Sequence, residues 1–202
     1  MSGHSSRVVL ATRNEHKIRE LARILTPYGI SLESPSDLPD VAETEPTFAA
    51  NALLKARAVA SATGLVAVAD DSGLEVDALN GMPGVLSARW AGRHGDDRAN
   101  LSLVLAQITD VPDERRTAAF VCAAAAVAPS GAEVLVEGRV EGTLLRSPRG
   151  EGGFGYDPIF VPTGESRTTA EMTAAEKDAI SHRGKALRAL APRLTELLDT
   201  VQ

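Results

Sequence analysis

Short apolar runs that alternate with segments of helical spacing narrow this chain to an α/β fold. Arg7 to Ala11 (RVVLA) predicts a short buried strand, and Ile18, Leu21, Ala22 and Leu25 then repeat at helical spacing up to Gly29. Ser34 to Pro46 is rich in Pro, Asp and Glu and predicts an exposed loop. Thr47 to Thr63 is an Ala-rich helix stopped by Gly64. Val66 to Ala69 predicts a strand that runs into a turn at Asp70-Asp71-Ser72-Gly73, with a second short strand over Leu74 to Leu79. A turn at Gly81 to Gly84 and a helix from Asp96 to Thr109 follow. Two longer strands, Thr117 to Ala128 and Glu133 to Leu145, are joined through Pro129-Ser130-Gly131, a hairpin signal. Gly150 to Pro158 is a Gly-rich loop, and Ser181 to Leu198 is a helix that Pro192 should kink. Strands alternating with helices, then a hairpin, predict a sheet of mixed direction flanked by helices. The 202 residues suffice for a sizeable core, read here as a single domain over 7–200 after a flexible N-terminus at 1–6.

Charge and cysteine usage exclude several classes. The net charge is −6, with no run of Lys and Arg, which argues against a nucleic-acid backbone as ligand. A small anionic ligand would need local positive charge or a metal ion. The single cysteine, Cys122, cannot form a disulfide within the chain and lies in an apolar run, so it reads as a small buried hydrophobe. Val8 to Ala11 is too short for a membrane span or signal peptide, and a cytoplasmic protein is expected.

Five stretches could carry chemistry. Thr12 to Lys17 (TRNEHK) lies at a strand-to-helix junction, where free N–H groups and the helix dipole attract anions. It lacks the glycines of a P-loop, and alone it reads as an ordinary capped helix, since capped helices are far commoner than phosphate sites. Asp70 and Asp71 end an apolar strand, where ligands of open α/β sheets collect. Adjacent carboxylates repel unless a cation offsets them, which favours a hard metal ion held through oxygen. Glu43, before the Ala-rich helix, could add a metal oxygen or belong to a solvated loop. Lys55, on that helix, reads as a surface residue. Gly152 to Pro158 (GGFGYDP) combines close backbone approach with Phe154 and Tyr156, in a chain with only 3% aromatics. Lys177 and Ser181-His182-Arg183 place cations at a helix start, where the dipole disfavours them.

Together, in order, these stretches resemble the inosine triphosphate pyrophosphatase family, also called the Ham1 family. The motifs are Thr12-x-Asn14-x-x-Lys17, Glu43-Thr44 with Thr47-Phe48 and Asn51-Ala52, Asp70-Asp71-Ser72-Gly73, Gly81-x-Pro83-Gly84 with Ser87-Ala88-Arg89, Gly153 to Pro158, and Ser181-His182-Arg183. They span nearly the whole chain, from Val8 to about Leu198. One departure is Glu45-Pro46, where the family commonly has a glycine after Glu-Thr. The resemblance implies an elongated mixed β-sheet flanked by helices, in two lobes with a central cleft. It also implies a homodimer, a Mg2+ requirement, and hydrolysis of non-standard purine nucleoside triphosphates to monophosphate and pyrophosphate. In that picture Thr12, Arg13, Asn14, Glu15, His16 and Lys17 hold the triphosphate, with Lys17 and Asp71 catalytic. Asp71, Glu43 and Asp70 face the metal, and Ser72 touches substrate. Phe154, Gly155, Tyr156, Asp157, Lys177, His182 and Arg183 enclose base and sugar. Two alternatives stay open: a metal-dependent phosphohydrolase acting on another nucleotide, and a non-catalytic nucleotide-binding module.

Overall fold

The computed structural model describes residues 7–33, 38 and 41–200. The expected flexible N-terminus at 1–6, and the parts of the acidic loop at 34–37 and 39–40, lie outside the described residues. The strands are β1 (Arg7–Leu10), β2 (Ser31–Glu33), β3 (Val66–Val76), β4 (Thr117–Val127), β5 (Glu133–Leu144) and β6 (Phe160–Pro162). The helices are α1 (Glu15–Leu25), α2 (Phe48–Thr63), α3 (Asp97–Gln107), α4 (Ala174–Ile180) and α5 (His182–Asp199). One sheet takes all six strands in the order β2-β1-β3-β4-β5-β6. β1 pairs in parallel with β2 and β3, and β5 pairs antiparallel with β6, so the sheet is mixed as the sequence predicts.

Two compact units make up the chain. The first is Met1–Asp71, Cys122–Gly138 and Arg183–Gln202; the second is Ser72–Val121 and Arg139–His182. Each has its own core. In the first, Val8, Leu10, Val66 and Val68 of the sheet meet Leu21 and Leu25 of α1 and Leu187, Leu190 and Leu194 of α5. Cys122, Ala124 and Ala126 of β4 complete that layer, and Cys122 is fully buried as expected. In the second, Leu74 and Val76 pack with Leu101 and Val104 of α3, Phe120 of β4 and Phe160 of β6. Arg116 is buried there with three carbonyls as acceptors: Leu144 and Ile108 at 2.9 and 2.6 Å, and Leu145 at 2.8 Å.

The Asp70 to Gly73 segment differs from expectation. It is no turn: β3 runs unbroken through it, and the predicted second strand is its continuation to Val76. Gly73 is there for room, since a Cβ at this position would stand 2.4 Å from Ser87 Oγ and 2.5 Å from the Gly84 carbonyl. Ser87 in turn accepts the Leu74 N–H at 2.9 Å. Three elements escape the periodicity reading. β2 and β6 have three residues each, too few for a period, and α4 has seven. α4 still carries a local start signal, a reciprocal cap between Thr173 and Glu176. α5 runs on through Pro192 to Asp199.

Candidate active site

In the first unit, strand alternation sends the two adjacent acids of β3 to opposite faces. Asp70 follows Val66 and Val68 toward α1 and α5. Its Oδ2 lies 3.1 Å from Lys17 Nζ of α1 and 3.1 Å from Arg183 Nε of α5. The Arg183 guanidinium also pairs with Glu20 of α1. Asp71 turns the other way, 3.8 Å from Lys55 Nζ of α2. Lys55 pairs with Glu43 and donates to the Asp70 carbonyl at 2.8 Å. Lys17 approaches that carbonyl too, at 3.5 Å. Two lysines from different helices thus converge on one peptide group.

This cluster is buried, so charge balance decides its state. Asp70 is 1% exposed. Burial works to raise its pKa, but Lys17, Arg183 and Lys55 overcome that and hold it well below the usual carboxylate range. For Asp71 burial wins. Lys55 and Lys17 pull downward, Glu43 and Asp70 push upward, and the carboxyl rises to about 6. Burial alone would lower Lys55, yet Asp71, Glu43 and Asp70 raise it, so its ammonium stays charged. Two neighbours of one chemical type are thereby driven apart: one is a fixed anion, the other a base poised near neutrality. Cys122, whose Sγ lies 3.9 Å from Asp70 Oδ2, is pushed up to about 12 by burial and is no nucleophile.

The helix start predicted at Thr12 to Lys17 is present. Asn14 caps α1, its side chain accepting the His16 and Lys17 N–H groups at 3.0 and 3.3 Å. Thr12 Oγ1 accepts the Asn14 N–H at 3.2 Å. Arg13, Asn14, Glu15 and His16 are exposed, and Arg13 donates to the Leu38 carbonyl. Beyond the Glu45-Pro46 departure, buried Asn51 holds Glu45 through both backbone groups, accepting its N–H at 3.0 Å and donating to its carbonyl at 3.2 Å. The Glu43 carboxylate still reaches Lys55.

The second unit carries the Gly-rich loop. Asp157 is its hub: it accepts from the Phe154 N–H at 2.8 Å, Thr169 Oγ1 at 2.7 Å and Lys177 Nζ at 2.6 Å. Gly153 has a φ of 70°, and a Cβ there would stand 2.0 Å from Asp157 Oδ2, so only glycine fits beside the carboxylate. Lys177 also stands 4.9 Å from the Phe154 ring centre. The Gly155 N–H donates to Asp97 Oδ2 at 2.8 Å. Tyr156, buried, donates its hydroxyl to the Ser87 carbonyl at 2.8 Å. His182 stacks on Phe120 with ring centres 4.8 Å apart. Ser72 is partly buried.

Lys55 requires a correction. It is 9% exposed and belongs to the acid cluster; it is not a surface residue. The signal was present, because Lys55 shares the buried stripe of α2 with Ala52, Ala56 and Val59. Glu20, 7% exposed on the stripe of Leu21 and Ile24, was also passed over. The acids Asp71, Glu43 and Asp70 offer oxygen donors of the type a hard cation takes. Among the described residues no three His, Cys, Asp or Glu side chains form a ready cage.

Residues 8–193 match the model of the Ham1 family. The chain is 62% identical over 198 residues to a dITP/XTP pyrophosphatase of Streptomyces coelicolor, covering 96% of this chain and 99% of that protein. Two solved structures are similar. One is a nucleoside-triphosphatase / dITP/XTP pyrophosphatase of Mycobacterium abscessus, with TM-score 0.76 and 59% identity over 93% of this chain and 99% of that one. The other is a HAM1 protein of Coxiella burnetii, with TM-score 0.86 and 42% identity over 95% and 99%. The chain belongs to the Ham1 family.

Proposed function

We propose that this Ham1 family chain hydrolyses non-standard purine nucleoside triphosphates (ITP, dITP and XTP) to the monophosphate and pyrophosphate, keeping them out of DNA and RNA. The observation that carries the reading is the split pair on β3. Asp71, raised to about 6, sits beside Lys55, while Asp70 stays ionised between Lys17 and Arg183. A base with that pKa accepts a proton near neutral pH without being permanently protonated.

In the proposed mechanism Asp71 orients a water and takes its proton as the oxygen attacks the α-phosphorus. The bond to the β-phosphate oxygen breaks, and pyrophosphate leaves. Lys17 and the α1 start, Thr12 to Lys17, receive the polyphosphate charge, and Ser72 touches substrate. Asp71 and Glu43, both beside Lys55, would hold magnesium, which supplies charge neutralisation at the phosphate oxygens, while Asp70 faces Lys17 and Arg183 on the other side of β3. Phosphoryl transfer asks little of the protein beyond such positioning. The purine and sugar are assigned to Phe154, Gly155, Tyr156, Asp157, Lys177 and His182 of the second unit, while Arg183 lies 2% exposed between Asp70 and Glu20 of the first. Donors there suit the 6-oxo group of hypoxanthine and xanthine and leave the 6-amino group of adenine unmatched. A homodimer and a cytoplasmic location belong to the same reading. No helix of the described residues is long and apolar enough to cross a membrane.

The test is pyrophosphate release from ITP, XTP, GTP and ATP, with and without magnesium. Release from ITP and XTP far above that from ATP, and only with the metal, is expected. Release of single phosphate would point to another phosphohydrolase. Binding without turnover, equal with and without metal, would point to a binding module.

A further inference from the structure

The loop from Gly153 to Asp157 is held by two carboxylates, and only one of them belongs to it. Asp157 accepts the Phe154 N–H, and Asp97 Oδ2 accepts the next one, that of Gly155, at 2.8 Å. Asp97 is the first residue of α3, 58 positions away. Consecutive N–H groups fixed from two directions restrain the rotation of their peptide planes. The Phe154 side chain leaves the backbone between them. Gly155 has a φ of 62°, a conformation open mainly to glycine, which an external acceptor helps to hold.

The position of Asp97 makes it a good clamp. The α3 N-cap role is taken by Asp96, whose side chain accepts the Ala99 N–H at 3.1 Å. Asp97 is thus not needed as the cap, and its charge in the first turn is favoured by the helix dipole. A charged acceptor makes the Gly155 bond about twice as strong as a neutral pair would be. The Asp97 charge is also felt by Tyr156, whose hydroxyl is raised first by burial and then by Asp97.

We infer that Asp97 is a positioning residue, which sets the direction of Phe154 through the Gly155 N–H and thereby governs how tightly the purine is held, with little influence on the chemical step. This rests on the assignment of Phe154 to the base.

The experiment compares Asp97→Ala and Asp97→Asn with the parent protein, using ITP and magnesium. Asp97→Ala should raise KM about tenfold, the loss expected for a hydrogen bond to a charged group, with kcat within about twofold. Asp97→Asn keeps an acceptor oxygen and should recover most of that loss. A lower kcat at unchanged KM, or no change in either, overturns the inference. Amide hydrogen exchange at Gly155 adds a readout independent of turnover. The Gly155 N–H should be protected in the parent and lose protection in Asp97→Ala. An unprotected Gly155 in the parent overturns the inference even if Asp97→Ala does not fold. A parent that releases no pyrophosphate defeats the proposed reaction instead, and leaves the clamp to be judged by exchange.

Discussion

Asp70 and Asp157 are both almost fully buried carboxylates with a lysine against them, yet the two regions fix them by different means. The partners of Asp70 come from far along the chain: Lys17 on α1 is 53 residues away and Arg183 on α5 is 113 away. Those of Asp157 are Phe154, Thr169 and Lys177, at separations of 3, 12 and 20. The first region is assembled by folding around a set of mutually compensating charges. The second is shaped by local backbone, with glycines that admit the carboxylate. Damage to the first should therefore appear as unbalanced charge, and damage to the second as misplaced backbone.

The hardest test of that contrast is Asp71→Asn. Loss of a general base costs about 10²–10⁴-fold in rate, so turnover should fall by at least about 10²-fold with the fold intact. Near-parental rates would remove Asp71 from the mechanism. The same change should stabilise the protein at neutral pH. The Asp71 carboxyl is raised from 3.8 to about 6. The folded state therefore holds a proton that the unfolded chain has released, and stability is lost as pH rises through that window. Removing the group recovers on the order of 2 kcal/mol at pH 7 and nothing below about pH 4. Urea unfolding of both proteins at the two pH values reads it directly.

Arg183→Ala should come next. It leaves Asp70 and Glu20 buried with a shared cation gone, a loss of about 3–5 kcal/mol of folding stability. A cost below about 1 kcal/mol would mean that the cluster is not charge-compensated as described. Gly153→Ala should be milder globally, about 1–3 kcal/mol of local strain, because a Cβ at that φ meets Asp157 Oδ2. Its mark should be a higher KM for ITP, with the melting temperature lowered by only about 2–12 °C. A large fall in melting temperature would erase the distinction between the two regions.

The same contrast explains what could be read from the sequence. The alternation of strands and helices, the β4–β5 pair and the helix start at Thr12 to Lys17 depend on local spacing, and they are where that spacing put them. Asp70-Asp71 was legible as an acid pair following an apolar strand, though the pair lies within that strand and not at its end. Its continuation into one long strand was not, because Gly73 reads as a turn signal when its real neighbour, Ser87, lies 14 residues on. Lys55 and Glu20 were missed because a charged residue on a buried helical stripe makes sense only once the opposing acids and Arg183 are in place. The role of Asp97 had no sequence signal, since its partner is a backbone N–H.

Because β3 does not turn at Asp70 and Asp71, neither acid can swing independently of the other. Both ride on β3, which lies between β1 and β4 in the sheet. A carboxylate on a turn could follow its ligand; here the ligand has to come to the carboxylates. Any accommodation to substrates of different shape must then be made elsewhere in the chain, and the amides flanking this pair should rank among the slowest to open.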